Sequence, residues 1–213
     1  KSGQGPFEPT GGLSTVAVRM PENKIALALI EAAGGYVAAP SANTSGKPSP
    51  TLAEHVKEDL SGKIEMILDG GAVGIGLEST IVDLTEKMPM ILRPGYITKE
   101  MLEKVLQKEV AVDKTLLDAT TKQAPKAPGM KYRHYAPKGE LTIVSGEEKD
   151  VTERIKRLAE EKMQAGEKVG IICTDETRLL YEADYIASVG ARTDEEAIAR
   201  HLYAILREFD TRE

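Results

Sequence analysis

Residues 39–51 read Ala-Pro-Ser-Ala-Asn-Thr-Ser-Gly-Lys-Pro-Ser-Pro-Thr, with three prolines, three serines and two threonines. Each proline fixes φ and removes an amide donor, so the stretch is a stiff loop. An apolar run, residues 36–39, leads into it, and a helix-like run from Leu52 leads out. This order restricts the local fold to strand end, rigid loop and helix start. Hydroxyls on such a frame suit an anion such as a phosphate, because helix N-termini attract negative charge. A proline-rich turn whose serines cap the following helix satisfies the same pattern.

The remainder of the chain alternates between strand-like and helix-like segments. Strands are predicted at 15–19, 36–39, 64–68, 79–84 and 90–93, and helices at 21–33, 51–60 and 98–108. Thr51-Leu52-Ala53-Glu54 has capping-box spacing. A second set follows: strands at 141–144, 168–173 and 185–189, and helices at 151–164, 176–181 and 194–209. That β-α-β-α-β-α order predicts a parallel, Rossmann-like sheet. It has no glycine fingerprint after its first strand. Residues 69–76 are glycine-rich but lead into a strand and lack the Gly-Lys-Ser/Thr ending of a phosphate loop. The expected architecture is α/β, with one domain at 1–109, a linker at 110–138 and a second domain at 139–213.

The chain has 213 residues, 41% hydrophobic and 29% charged, as expected of a globular protein with a real core. Nowhere is there an apolar run of about 18 residues, so no membrane span is expected. The single Cys173 lies in an apolar run and reads as a small buried residue; it fits a reducing, cytoplasmic setting. Three dispersed histidines and one cysteine give no zinc spacing. A net charge of −6 argues against a protein whose whole surface binds nucleic acid. Lys122, Lys126, Lys131, Arg133 and Lys138, with no acid among residues 119–138, form a local basic patch suited to an anionic partner. A solvated linker has the same composition.

Three stretches carry a family resemblance: residues 39–51; Gly-Leu-Glu-Ser-Thr-Ile-Val-Asp at 76–83 with Leu-Arg-Pro-Gly at 92–95; and Ala-Pro-Gly-Met-Lys-Tyr-Arg-His-Tyr-Ala-Pro at 127–137. In this order they resemble the YrdC-like family, and the third resembles the linker of its two-domain threonylcarbamoyl-AMP synthases. The resemblance implies the C-terminal part of a twisted YrdC-like α/β domain. The family's Lys-x-Arg motif is expected upstream, and the second domain is expected to continue past Glu213.

That resemblance also implies chemistry. The substrates are ATP (with Mg2+), L-threonine and bicarbonate, and the threonylcarbamoyl-adenylate product passes to a tRNA-modifying partner. Thr15, Ser41, Asn43, Ser49, Arg93, Tyr132 and Tyr135 are implied for ATP, with the tyrosines closing over the nucleotide. Arg19, Ala39 and Ser79 are implied for L-threonine. By alternation Arg19 shares a strand face with Thr15, and its guanidinium suits a carboxylate. No catalytic residue or metal ligand is assigned, and His134 has a bland reading as a solvated group. Competing readings are a carbamoyl-transfer domain of hydrogenase maturation, against which the linker and the second domain argue, and a double-stranded RNA-binding module, which needs a broad basic face. A weak RNA contact through the linker is compatible with the first reading.

Overall fold

The computed structural model describes residues 15–113 and 138–212. It falls into two units, residues 1–41 and 42–213. In the first, helix α1 (Lys24–Ala32) begins where Asn23 accepts hydrogen bonds from the amides of Ile25 and Ala26, both at 3.0 Å. That cap, rather than Pro21, sets the start. The helix ends at Gly34 and Gly35, whose positive φ angles of 96° and 97° suit glycine. The expected strands at 15–19 and 36–39 do not form. Both segments lack ladder partners and leave Val16, Val18, Tyr36 and Val37 exposed. Alternation gives a segment two faces, but a strand also needs a neighbour to take its amides and carbonyls.

In the second unit, helix α2 (Ala53–Leu60) follows the stiff loop. The expected capping box is not made. Instead Thr51 donates its amide to Nδ1 of the buried His55, at 3.2 Å. Residues 64–68 again run without a ladder, with Met66 and Leu68 exposed. Strand β1 (Ile81–Asp83), shorter than the expected 79–84, pairs antiparallel with β2 (Met90–Arg93). Helix α3 (Lys99–Leu106) is capped by Thr98. Strand β3 (Ala111–Val112) then adds parallel to β2, and the preceding Val110 is fully buried.

Beyond residue 137 the expected strand at 141–144 is absent from the sheet, and Ile143 stays 84% exposed. Helix α4 (Glu148–Gln164) precedes β4 (Gly170–Cys173), which pairs in parallel with β5 (Tyr185–Ser188). The helix expected at 176–181 is a single 3-10 turn, Arg178–Leu180, whose Leu179 is exposed and offers no apolar stripe to bury. Helix α5 (Glu195–Asp210) closes the unit, capped by Asp194.

The strand period of two sorts this part of the core. Ile171 and Cys173 pack with Ala159 of α4 and with Tyr181. The intervening Ile172 packs with Ala187, Val189 and Ile205, the last from α5. Cys173 is thus a buried core residue, as expected; burial pushes its thiol pKa up. Gly170 lies so close to the Phe209 ring that a Cβ there would collide with it.

Candidate functional site

The stiff loop is held from within and from below. Asn43 donates Nδ2 to the carbonyls of Thr44 and Lys47, at 3.0 and 3.1 Å, so its amide shapes the loop. Its buried Oδ1 has no partner among the described residues. Asp59, on α2, accepts from the Thr44 amide at 3.1 Å and from Lys47 Nζ at 2.8 Å. Arg207 Nη2 reaches the same carboxylate at 2.9 Å. Burial alone would raise the pKa of Asp59. The hydrogen bonds from Arg207, Lys47 and the Thr44 amide outweigh it and hold the carboxyl well below the usual range. His55, one turn earlier on α2, has its pKa lowered by burial and by the Arg207 charge.

The far end of the loop makes a different set of contacts. Ser49 does not cap α2; its Oγ donates to Glu78 Oε1. Glu78 faces Arg93 Nη2 across 3.7 Å, and each of these side chains is 20% exposed. Arg93 points Nε and Nη2 at the Ser79 carbonyl, at 3.1 and 2.8 Å. Gly95 makes this approach workable, because a Cβ there would run into the Glu78 carbonyl and the Thr80 amide. Ser49 and Arg93, drawn from separate sequence stretches, thus meet at the Glu78 carboxylate, and the Ser79 carbonyl holds the arginine beside it. The result is a half-open polar cluster with an oriented guanidinium, able to receive an anion at a fixed place.

The other expected residues divide by location. Thr15, Arg19, Ala39 and Ser41 lie in the first unit and are exposed. Tyr132 and Tyr135 lie outside the described residues. Among the described residues, no group of three or more His, Cys, Asp or Glu side chains could hold a metal ion. Sequence reasoning passed over Glu78, although it directly precedes Ser79. It also passed over Asp59 and Arg207, for which the one signal was an arginine inside the apolar pattern of α5.

Residues 4–95 match the family model described as "Telomere recombination", and residues 97–213 match that described as "Threonylcarbamoyl-AMP synthase, C-terminal domain". The chain belongs to the YrdC-like, two-domain threonylcarbamoyl-AMP synthase family. It is 51% identical over 201 residues to the threonylcarbamoyl-AMP synthase of Bacillus subtilis, covering 94% of this chain and 56% of that protein. The Pyrococcus abyssi synthase is 49% identical, covering 94% of this chain and 57% of its own length. A crystal structure of P. abyssi Sua5 with L-threonine superposes with a TM-score of 0.89 at 47% identity, covering 100% of this chain and 60% of that one. The chain therefore spans somewhat over half the length of these family members. The α/β class expected from the sequence is the one found.

Proposed function

We propose that this chain is part of a threonylcarbamoyl-AMP synthase, which joins L-threonine, bicarbonate and ATP into threonylcarbamoyl-adenylate and releases pyrophosphate. The carrying observation is the Ser49–Glu78–Arg93–Ser79 cluster, which concentrates residues of two family stretches at one half-open place. The threonine amine first attacks the carbon of bicarbonate, a C–O bond breaks and water leaves, giving a carbamate. A carbamate oxygen then attacks the α-phosphate of ATP and pyrophosphate leaves. Arg93 and Ser49 bind the phosphates, with Thr15, Ser41, Tyr132 and Tyr135 as further nucleotide contacts. Asn43 serves the nucleotide through the loop it holds in shape. Arg19 takes the threonine carboxylate, and Ala39 and Ser79 take the remainder of the amino acid. Magnesium accompanies ATP as its counter-ion, and among the described residues no cluster of His, Cys, Asp or Glu could hold it apart from the nucleotide.

The product is an activated acyl-adenylate prone to hydrolysis, which fits direct hand-over to a cytoplasmic tRNA-modifying partner. Among the described residues no helix is long and apolar enough to cross a membrane. The test is pyrophosphate release by the full-length protein with each substrate omitted in turn. Release that requires threonine and bicarbonate together supports the reading. Arg19→Ala should abolish the threonine dependence while ATP still binds in calorimetry. Salt-sensitive double-stranded RNA binding without ATP binding would replace this reading with that of an RNA module.

A further inference from the structure

Helix α5 has two working faces. Ile198, Leu202, Ile205 and Phe209 recur at helical spacing and pack with Ala187 and Val189 of the β4–β5 region. Glu196, Arg200 and Arg207 lie on a different stripe, spaced by four and seven residues. That second stripe holds the stiff loop directly and reaches residues that flank the other two stretches of the candidate site. Arg207 Nε and Nη2 donate to the Pro48 carbonyl at 3.0 and 2.6 Å. Arg200 Nε donates to the Gly74 carbonyl at 3.1 Å. The Tyr96 hydroxyl, just past Arg93-Pro94-Gly95, donates to Glu196 Oε1 at 3.3 Å. Gly76 packs so tightly under α5 that a Cβ would strike the carbonyls of Ala199 and Arg200.

Arg207 is the centre of this contact. It is 5% exposed, Pro48 is fully buried, and the Asp59 side chain is wholly buried. Pro48 has no amide hydrogen, so its carbonyl is the one backbone polar group through which it can be fixed. The planar fork of an arginine holds that carbonyl and the Asp59 carboxylate at once, which a lysine ammonium cannot do in the same geometry. Asp59 in turn holds Thr44 and Lys47, so one guanidinium sets residues 44, 47 and 48 together, directly before Ser49.

We propose that Arg207 is a positioning residue for the nucleotide loop, and that α5 frames the site from the other half of the chain. A buried ion pair adds little net stability over apolar residues of the same shape, so its presence here fits a geometric role. This proposal rests on the reading of the loop as part of the ATP site. Its consequence is that the C-terminal half sets how tightly ATP is held without touching it.

The experiment uses the full-length protein and three variants. Arg207→Lys keeps the charge and loses the fork. Arg207→Met/Asp59→Leu removes both buried charges, so neither is left unpaired and the fold is kept. Ile205→Val perturbs the same helix on its sheet face. Two readouts are taken: the KM for ATP from pyrophosphate release, and amide hydrogen exchange over residues 43–49. Both Arg207 variants should raise the KM for ATP about tenfold, equivalent to roughly one lost polar contact, and speed exchange in the loop while β4 and β5 stay protected. Ile205→Val should leave the KM for ATP unchanged. If either Arg207 variant keeps the parent KM and the parent loop exchange, the positioning role is wrong. If Ile205→Val raises the KM as much as they do, the effect is general loosening and the proposal also fails. A parent protein that neither binds ATP nor releases pyrophosphate overturns the proposed activity instead. Exchange in the loop still reads the tether in that case.

Discussion

Two acid–arginine pairs lie at the two ends of the same stiff loop, and they differ in every physical respect. Asp59–Arg207 is buried, close at 2.9 Å, and saturated with further donors. Glu78–Arg93 is partly exposed and open at 3.7 Å. In a dry environment a carboxylate must be surrounded by donors to remain charged. At a half-open surface it can leave its partner loosely held and keep that partner available to a ligand. The first pair fixes the loop, and the second is the one proposed to meet a ligand. Their sequence neighbourhoods do not announce which is which.

The contrast can be broken most sharply by removing one acid from each pair. Asp59→Leu strands a buried guanidinium and should cost about 3–5 kcal/mol of unfolding free energy. Glu78→Gln should cost no more than about 1 kcal/mol, since its pair is partly solvated. Urea denaturation of both variants checks this, and equal losses would erase the distinction. Next in size, Arg93→Ala should weaken ATP binding by about 1.5–3 kcal/mol, the worth of a charged hydrogen bond. Calorimetry should find this with little change in stability, the reverse of Asp59→Leu. Gly95→Ala tests the open cluster through its backbone. The new methyl meets the Glu78 carbonyl and the Thr80 amide, and the overpacking should cost about 1–3 kcal/mol along with ATP affinity. Thermal melts and calorimetry read the two losses together.

The smallest effect is a pH response at the buried end. The pKa of His55 in the fold lies below its ordinary 6.5. The unfolded chain therefore binds the extra proton first, and stability should decline as pH falls below that value. The Asp59 carboxyl is depressed from 3.8. Its contribution is complete above that pH and is lost as acid drives the folded group to protonate. Both signs agree, so melting temperature should drift down from neutral pH and fall faster below about pH 4. His55→Gln should flatten the upper part of the drift and leave the lower part.

Periodicity disclosed the elements that bury one clean face. α3, α5, β2, β4 and β5 lie where apolar spacing predicted them. It failed at 15–19, 36–39, 64–68 and 141–144, where an alternating or apolar run is present and a pairing strand is not. It also failed at Thr51, where a histidine one turn ahead supplies the contact expected of a capping box. The family stretches pointed to Ser49, Ser79 and Arg93, which the fold brings together. The carboxylate that unites them was hidden in plain view beside Ser79. Arg207 was hidden more deeply. Its meaning depends on Pro48 and Asp59, and no local pattern links residues separated by 159 and 148 positions.

That separation bears on how the molecule is made. A ribosome delivers Pro48 long before Arg207, so the loop spends much of synthesis without the group that fixes its carbonyl. Local segments such as α2 can form early, whereas contacts of such long range close late and slowly. The stiffness supplied by three prolines then acquires a second use: it keeps the loop near its final shape while its distant tether is still being translated.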